Sequence, residues 1–155
     1  MPEEMLLLKE WKDILCLQDW YILLQTNCDP SAMTIPEADG ETEYTETTKT
    51  AVIRIVDPEK RGNAIRAFAF EETLVHELLH LKFCLLEQSE DWENDLSLRV
   101  MHQIIDDLAK GFAEVKRKAN ASMANRCNDD ESKNVHYKDK KGKSKSAAVS
   151  RKDKD

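Results

Sequence analysis

The four-residue spacing between two histidines constrains this chain more than any other feature. His76-Glu77-Leu78-Leu79-His80 stands in the middle of its most apolar stretch, Glu72 to Phe83. On a helix, residues four apart sit one above the other on the same face, so both imidazoles can aim a nitrogen at one ion. With Zn²⁺ each bond spans about 2.0–2.1 Å. Glu77 falls about 100° round the helix, beside such an ion. There a carboxylate can take a proton from a zinc-bound water, whose pKa the metal lowers to roughly 7, and later pass it to the leaving amine of a cut peptide. The string requires a helix, and Phe70 to Glu87 predicts one: it has no Gly or Pro, is rich in Leu and Glu, and carries Glu71 and Glu72 where a helix N-terminus prefers acids. The competing reading is a pair of core histidines with Glu77 solvated. It is disfavoured because burying two imidazoles and a carboxylate on one turn without a metal or partners is costly.

A catalytic zinc takes three protein ligands and leaves a fourth position for water, so a further ligand has to come from elsewhere. Asp95 to Phe112 predicts a second helix with Leu98, Met101, Ile105, Leu108 and Phe112 along one stripe. His102 is placed within that stripe, facing the core, and can reach the metal across an antiparallel helix pair joined by the polar turn Glu87 to Trp92. Asp106, one turn on, is then positioned to accept the other ring N–H of a ligating histidine, the partner such ligands normally have. Glu93, opening the second helix, and Glu87, on the motif helix itself, remain rival ligands.

In the strand Lys49 to Ile55, the string Glu72-Thr-Leu-Val-His-Glu-Leu-Leu-His80 and the amphipathic helix after it, the sequence resembles the minimal zincin-like metallopeptidases. The resemblance covers roughly residues 5 to 115. It implies an α+β fold: an N-terminal helix, a small mixed sheet, the His-Glu-x-x-His helix and a following antiparallel helix. It also implies a zinc-dependent peptidase with His76 and His80 as ligands and Glu77 as general base. In the gluzincin branch the third ligand is a Glu followed four residues later by an Asp that orients a zinc histidine; His102 and Asp106 stand at that spacing, with His in place of Glu. The metzincin pattern is excluded, since Leu81, Lys82 and Phe83 follow His80. The resemblance further implies that a sheet edge beside the motif helix binds substrate backbone by strand addition, through Thr50 to Val56 or its Tyr44-containing neighbour.

The remaining segments predict the scaffold. Glu3 to Leu17 puts Leu7, Leu8, Trp11, Ile14 and Leu15 on one helical face. Asp19 to Gln25 reads as a buried strand closed by a turn at Asn27-Cys-Asp-Pro30, and Ile35 to Lys49 as a polar stretch containing a solvated strand or hairpin arm. Thr50 to Val56 is the clearest strand, with Ala51, Ile53 and Ile55 on one face and Asp57-Pro58 as its stop.

Composition bounds the rest. A chain of 155 residues, 41% hydrophobic and 34% charged, has room for one domain and a tail. The expected division is a metallopeptidase domain over 1–118 and a disordered basic tail over 119–155, which lacks Trp, Phe and any apolar period. Charge divides nearby: residues 1–115 hold 10 Lys and Arg against 24 Asp and Glu, and 116–155 hold 13 against 6. The tail is either solvated or a weak contact for nucleic acid or an acidic partner, while the acidic body argues against nucleic acid in the cleft. No signal segment precedes Met5 and no apolar run approaches a membrane span, so a cytoplasmic monomer without membrane contact is expected. Cys16, Cys28, Cys84 and Cys127 fit neither a zinc ribbon nor a disulfide framework and read as reduced thiols; Cys84, four residues after His80, reads as a small core residue, and His136 as idle. Two functions stay open: a zinc peptidase acting on a peptide or protein, and a non-catalytic zinc-stabilised interaction module whose tail recruits a partner. The presence of Glu77 favours the first, because a structural zinc site has no use for an acid/base beside its ligands.

Overall fold

The β-branched run Thr50-Ala-Val-Ile-Arg-Ile-Val56 forms the central strand of the sheet, and the fold is built outward from it. The computed structural model describes residues 2–35, 37–61, 67–87 and 95–142; the side chains of Glu87, Asp95 and 125–142 fall outside that description. Among them are α1 (Glu3–Ile14), β1 (Tyr21–Cys28), β2 (Gly40–Thr45), β3 (Thr50–Val56), α2 (Phe70–Glu87) and α3 (Asp95–Gly142), with short 3₁₀ turns at Pro30–Ala32 and Glu46–Thr48. The sheet order is β1-β3-β2, with β1 parallel and β2 antiparallel to β3. This is an α+β fold with a small mixed sheet. On β3 the alternation is realised: Ala51, Ile53 and Ile55 are buried, while Arg54 on the other face pairs with Glu41 and Glu43 of β2.

The core joins that face to α1, α2 and the first part of α3. From α1 it takes Leu8 and Trp11, and Trp11 donates its indole N–H to Glu71 Oε1 at 2.9 Å, tying α1 to the first turn of α2. Ile14 is exposed, contrary to the expected stripe. Leu15, expected on the same stripe, is buried; the helix stops there, Cys16 adopts a left-handed φ of 52°, and the reversed chain sends Leu17 into the core as well. From α2 come Leu74, Val75, Leu78, Leu79, Leu81 and Cys84. Burying each large aliphatic side chain among them contributes about 1.5–3 kcal/mol.

Two strand expectations need correcting. β1 is an edge strand with only one covered face, so Ile22 and Leu24 pack on the core while Tyr21 and Leu23 are exposed. The Asn-Cys-Asp-Pro signal does not end the strand at Gln25. Asn27 takes a left-handed φ, the pairing register slips between Gln25 and Cys28, and the strand resumes to pair Cys28 with Val56.

The buried stripe of α3 is Met101, Ile105, Ala109 and Ala113, stepping by four. Leu98 and Phe112, expected on it, are exposed. The chain divides into Met1–Ala113 and Glu114–Asp155, five residues before the expected boundary at Lys118. Beyond it the backbone is helical to Gly142 where disorder is expected. Residues 119–141 contain no Gly or Pro to break a helix, although their Asn, Asp and Ser are weak helix formers and no apolar stripe demands one. Of the expected turn from Glu87 to Trp92, Glu87 closes α2 and the rest lies outside the described residues. No helix among the described residues is long and apolar enough to cross a membrane.

Candidate metal centre

The core packing of α2 fixes where its motif points. With Leu74, Val75, Leu78 and Leu79 inside, His76 and His80 are left half-buried on one flank, with their Nε2 atoms 3.2 Å apart. Two nitrogens bound at about 2.0–2.1 Å to a tetrahedral ion lie about 3.3–3.4 Å apart, so this separation fits a shared metal. His102 of α3 joins them: one ring nitrogen from each of His76, His80 and His102 lies within 4.8 Å of the others. The ring centroids are 5.0 Å apart for His76 and His80, 4.9 Å for His80 and His102, and 5.9 Å for His76 and His102. Three histidines thus lie close enough to hold a metal ion.

Asp106 supplies the outer contact. Its Oδ1 lies 2.9 Å from His76 Nδ1, which assigns the ring proton to Nδ1 and leaves the Nε2 lone pair facing the other imidazoles. Burial, and next the neighbouring His80, hold the His76 pKa below its ordinary value of 6.5 despite the opposing pull of Asp106. The ring is therefore neutral near pH 7, the form in which imidazole ligates metals. His76 meets Asp106 and His80 meets His102, so one turn forward on α2 corresponds to one turn back on α3, and the two helices run antiparallel here.

One expectation about this helix fails in detail. His102 does not face the core; it is exposed, one position beyond buried Met101, on the flank where the cleft opens. An advance of one residue turns a side chain about 100°, enough to move it from the buried stripe into the cleft. Of the rival ligands, Glu93 lies outside the described residues. Glu87 closes α2 seven residues after His80, about 10 Å further along the axis. Cys84 belongs to the apolar core, as expected.

Glu77 is 4% exposed, the one buried charged side chain among the described residues. Its environment comes from β2. Thr42 Oγ1 donates to Glu77 Oε2 at 2.8 Å and also lies 3.1 Å from the Glu77 backbone carbonyl. A Cβ placed on Gly40 would stand 2.7 Å from Glu77 Oε1, 2.9 Å from Glu77 Cγ and 2.9 Å from Thr73 Cγ2, so the strand approaches α2 this closely only because residue 40 has no side chain. Sequence reasoning missed both residues. The usable signal was a lone glycine in a strand-forming stretch, a mark of close approach by another element.

The orientation of β2 follows from its register. Val56 N–H donates to Asp39 O at 3.0 Å, and pairing continues as Gly40 with Ile55 and Thr42 with Ile53. In an antiparallel ladder the residues of such bonded pairs alternate, so Glu41 and Glu43 turn their backbone groups toward β3, and Gly40, Thr42 and Tyr44 turn theirs outward. No strand lies beyond β2 among the described residues. The cleft between this edge and the three histidines has a volume of about 1120 Å³, with Tyr44, Arg61, Glu72 and Lys110 also on its walls. No protein-family model, curated protein or solved structure matches this chain.

Proposed function

We propose that the chain is a zinc-dependent metallopeptidase of the zincin kind it resembles, holding Zn²⁺ through His76, His80 and His102 and using Glu77 as general base. The observation that carries this reading is the convergence of three imidazoles from two helices beside a buried carboxylate one residue along from the first. Zinc, when bound, would polarise the scissile carbonyl and acidify the attacking water. Asp106 fixes the tautomer and direction of His76. Glu77 takes the proton from the water and returns it to the departing nitrogen, a role worth about 10²–10⁴-fold in rate. The outward backbone groups of Gly40, Thr42 and Tyr44 offer an extended peptide a ladder along the cleft, so the substrate is a peptide or an unstructured protein segment bound by main-chain pairing.

The test compares zinc-loaded wild type with Glu77→Gln against a library of unstructured peptides. Wild type should carry about one zinc per chain and cleave; Glu77→Gln should keep the metal and lose at least about 100-fold in rate. Zinc bound with no cleavage by either protein would instead mean the non-catalytic zinc-stabilised module.

A further inference from the structure

The two β2 residues that touch Glu77 are also two that turn their backbone groups to the open edge. We infer that Thr42 is a positioning residue for Glu77, seated with the help of side-chain-free Gly40, so that one strand sets both the direction of the base and the lane in which a substrate backbone would lie. The inference rests on the peptidase reading above.

The argument starts from Glu77 itself. A glutamate has three rotatable side-chain bonds, and a carboxylate that is 4% exposed has largely lost the water that would otherwise satisfy it. Its oxygens need partners, and the direction of those partners decides where its free lone pairs point. Thr42 Oγ1 engages Oε2 at 2.8 Å, while Oε1 occupies the space that a side chain at position 40 would fill. Oε2 is held by the Thr42 hydroxyl, and the bare backbone at position 40 leaves room for Oε1. The same Thr42 hydroxyl lies 3.1 Å from the carbonyl oxygen of Glu77, so its single proton stands between two acceptors of one residue and favours the nearer Oε2. Displacing a reacting group by about 1 Å can cost on the order of 100-fold in rate, so a contact that fixes the base matters even though it touches no reacting atom.

The inference separates from mere structural support by a cycle on the metal-free protein and a kinetic comparison on the zinc-loaded one. Thr42→Val keeps the shape and removes the hydroxyl; Glu77→Leu removes the acceptor. Losing one partner of a buried charged hydrogen bond leaves the other unsatisfied, whereas replacing both by apolar groups of similar shape is close to neutral. Thr42→Val should therefore lower the melting temperature of the metal-free protein by roughly 5–10 °C in the wild-type background, and by far less in the Glu77→Leu background. Thr42→Ser, which retains the hydroxyl, should melt near wild type. With zinc loaded, Thr42→Val should lower kcat on a cleaved library peptide by about 10–100-fold with KM nearly unchanged, Thr42→Ser should recover most of that loss, and zinc content should stay at the wild-type value in both. Equal melting losses in the two backgrounds, or an unchanged kcat in Thr42→Val, would overturn the inference. A wild-type protein that cleaves nothing would count against the peptidase reading, while the melting cycle would still decide whether Thr42 holds Glu77.

Discussion

Helices α2 and α3 each bring a pair of residues one turn apart, His76 with His80 and His102 with Asp106, to the cluster of imidazoles, but they do so from opposite circumstances. His76 and His80 ride on a helix whose Leu74, Val75, Leu78 and Leu79 are all in the core, so their direction is dictated by packing on either side of them. His102 and Asp106 stand on an exposed flank of α3, whose inward face is the narrower line Met101, Ile105, Ala109. In α2 the two imidazoles are directed by neighbours packed in the core. In α3 His102 and Asp106 are held by the helix docking with that line inward.

The comparison predicts a graded set of losses. Replacing His76 or His80 by Ala should take zinc content from about one ion per chain to a small fraction and bring the melting temperature down to that of the chelated protein, because binding to the folded state alone is what the metal adds to stability. Metal content unchanged in both variants would break the α2 half of the comparison. Next, His102→Ala should weaken zinc affinity by at least about 10–100-fold and Asp106→Ala by less, since Asp106 orients a ligand without touching the ion. Glu87→Ala and Glu93→Ala should bind as wild type; a collapse in Glu93→Ala with His102→Ala unaffected would hand the third position to a carboxylate.

Packing provides the third contrast, read by urea denaturation of the metal-free protein. Leu78→Ala in α2 removes a fully buried side chain and should cost about 2–5 kcal/mol. Leu98→Ala in α3, at an exposed position, should stay within about 0.5 kcal/mol.

The smallest effect belongs to the far face of β2. Burial alone would raise the Glu41 carboxyl, but the Thr34 amide and the Arg54 guanidinium outweigh it and hold the group below its ordinary 4.5. A lowered folded-state value contributes stability that is present above pH 4.5 and lost as pH falls through the folded-state pKa. Glu41→Gln should flatten the acid side of the stability profile by about 0.2–1 kcal/mol, a range typical of partly exposed pairs.

The same contrast explains what could be read in the sequence. The motif helix was legible to the residue because it obeys a strict spacing and contains no breakers, and β3 because alternation survives wherever one face is buried. Helix α3 was legible as a helix and as the source of His102 and Asp106. Its phase was not: Leu98 and Phe112 outrank Ala109 and Ala113 in hydrophobicity, yet the line of small residues is what lies inside. Asp19 to Gln25 reads as a buried strand because its residues fit one, and nothing local records that it would lie at an edge. Thr42 and Gly40 were hidden for a different reason. Their importance is a distance to a helix more than thirty residues away, set by tertiary packing that no local pattern encodes.

An edge left open along β2 has a consequence whatever the chain does. Outward backbone groups of this kind can pair with the β2 of another copy, and open strand edges are a common route to chain-to-chain association. β2 carries Glu41 and Glu43 on its solvent face, and Arg54, reaching across from β3, partly neutralises them. Two such strands laid edge to edge would bring like charges together, an arrangement that disfavours pairing. Solubility at high concentration should therefore depend on Glu43, which is the more exposed of the two, and substituting it with an apolar β-former would turn an open edge into a seam for self-association.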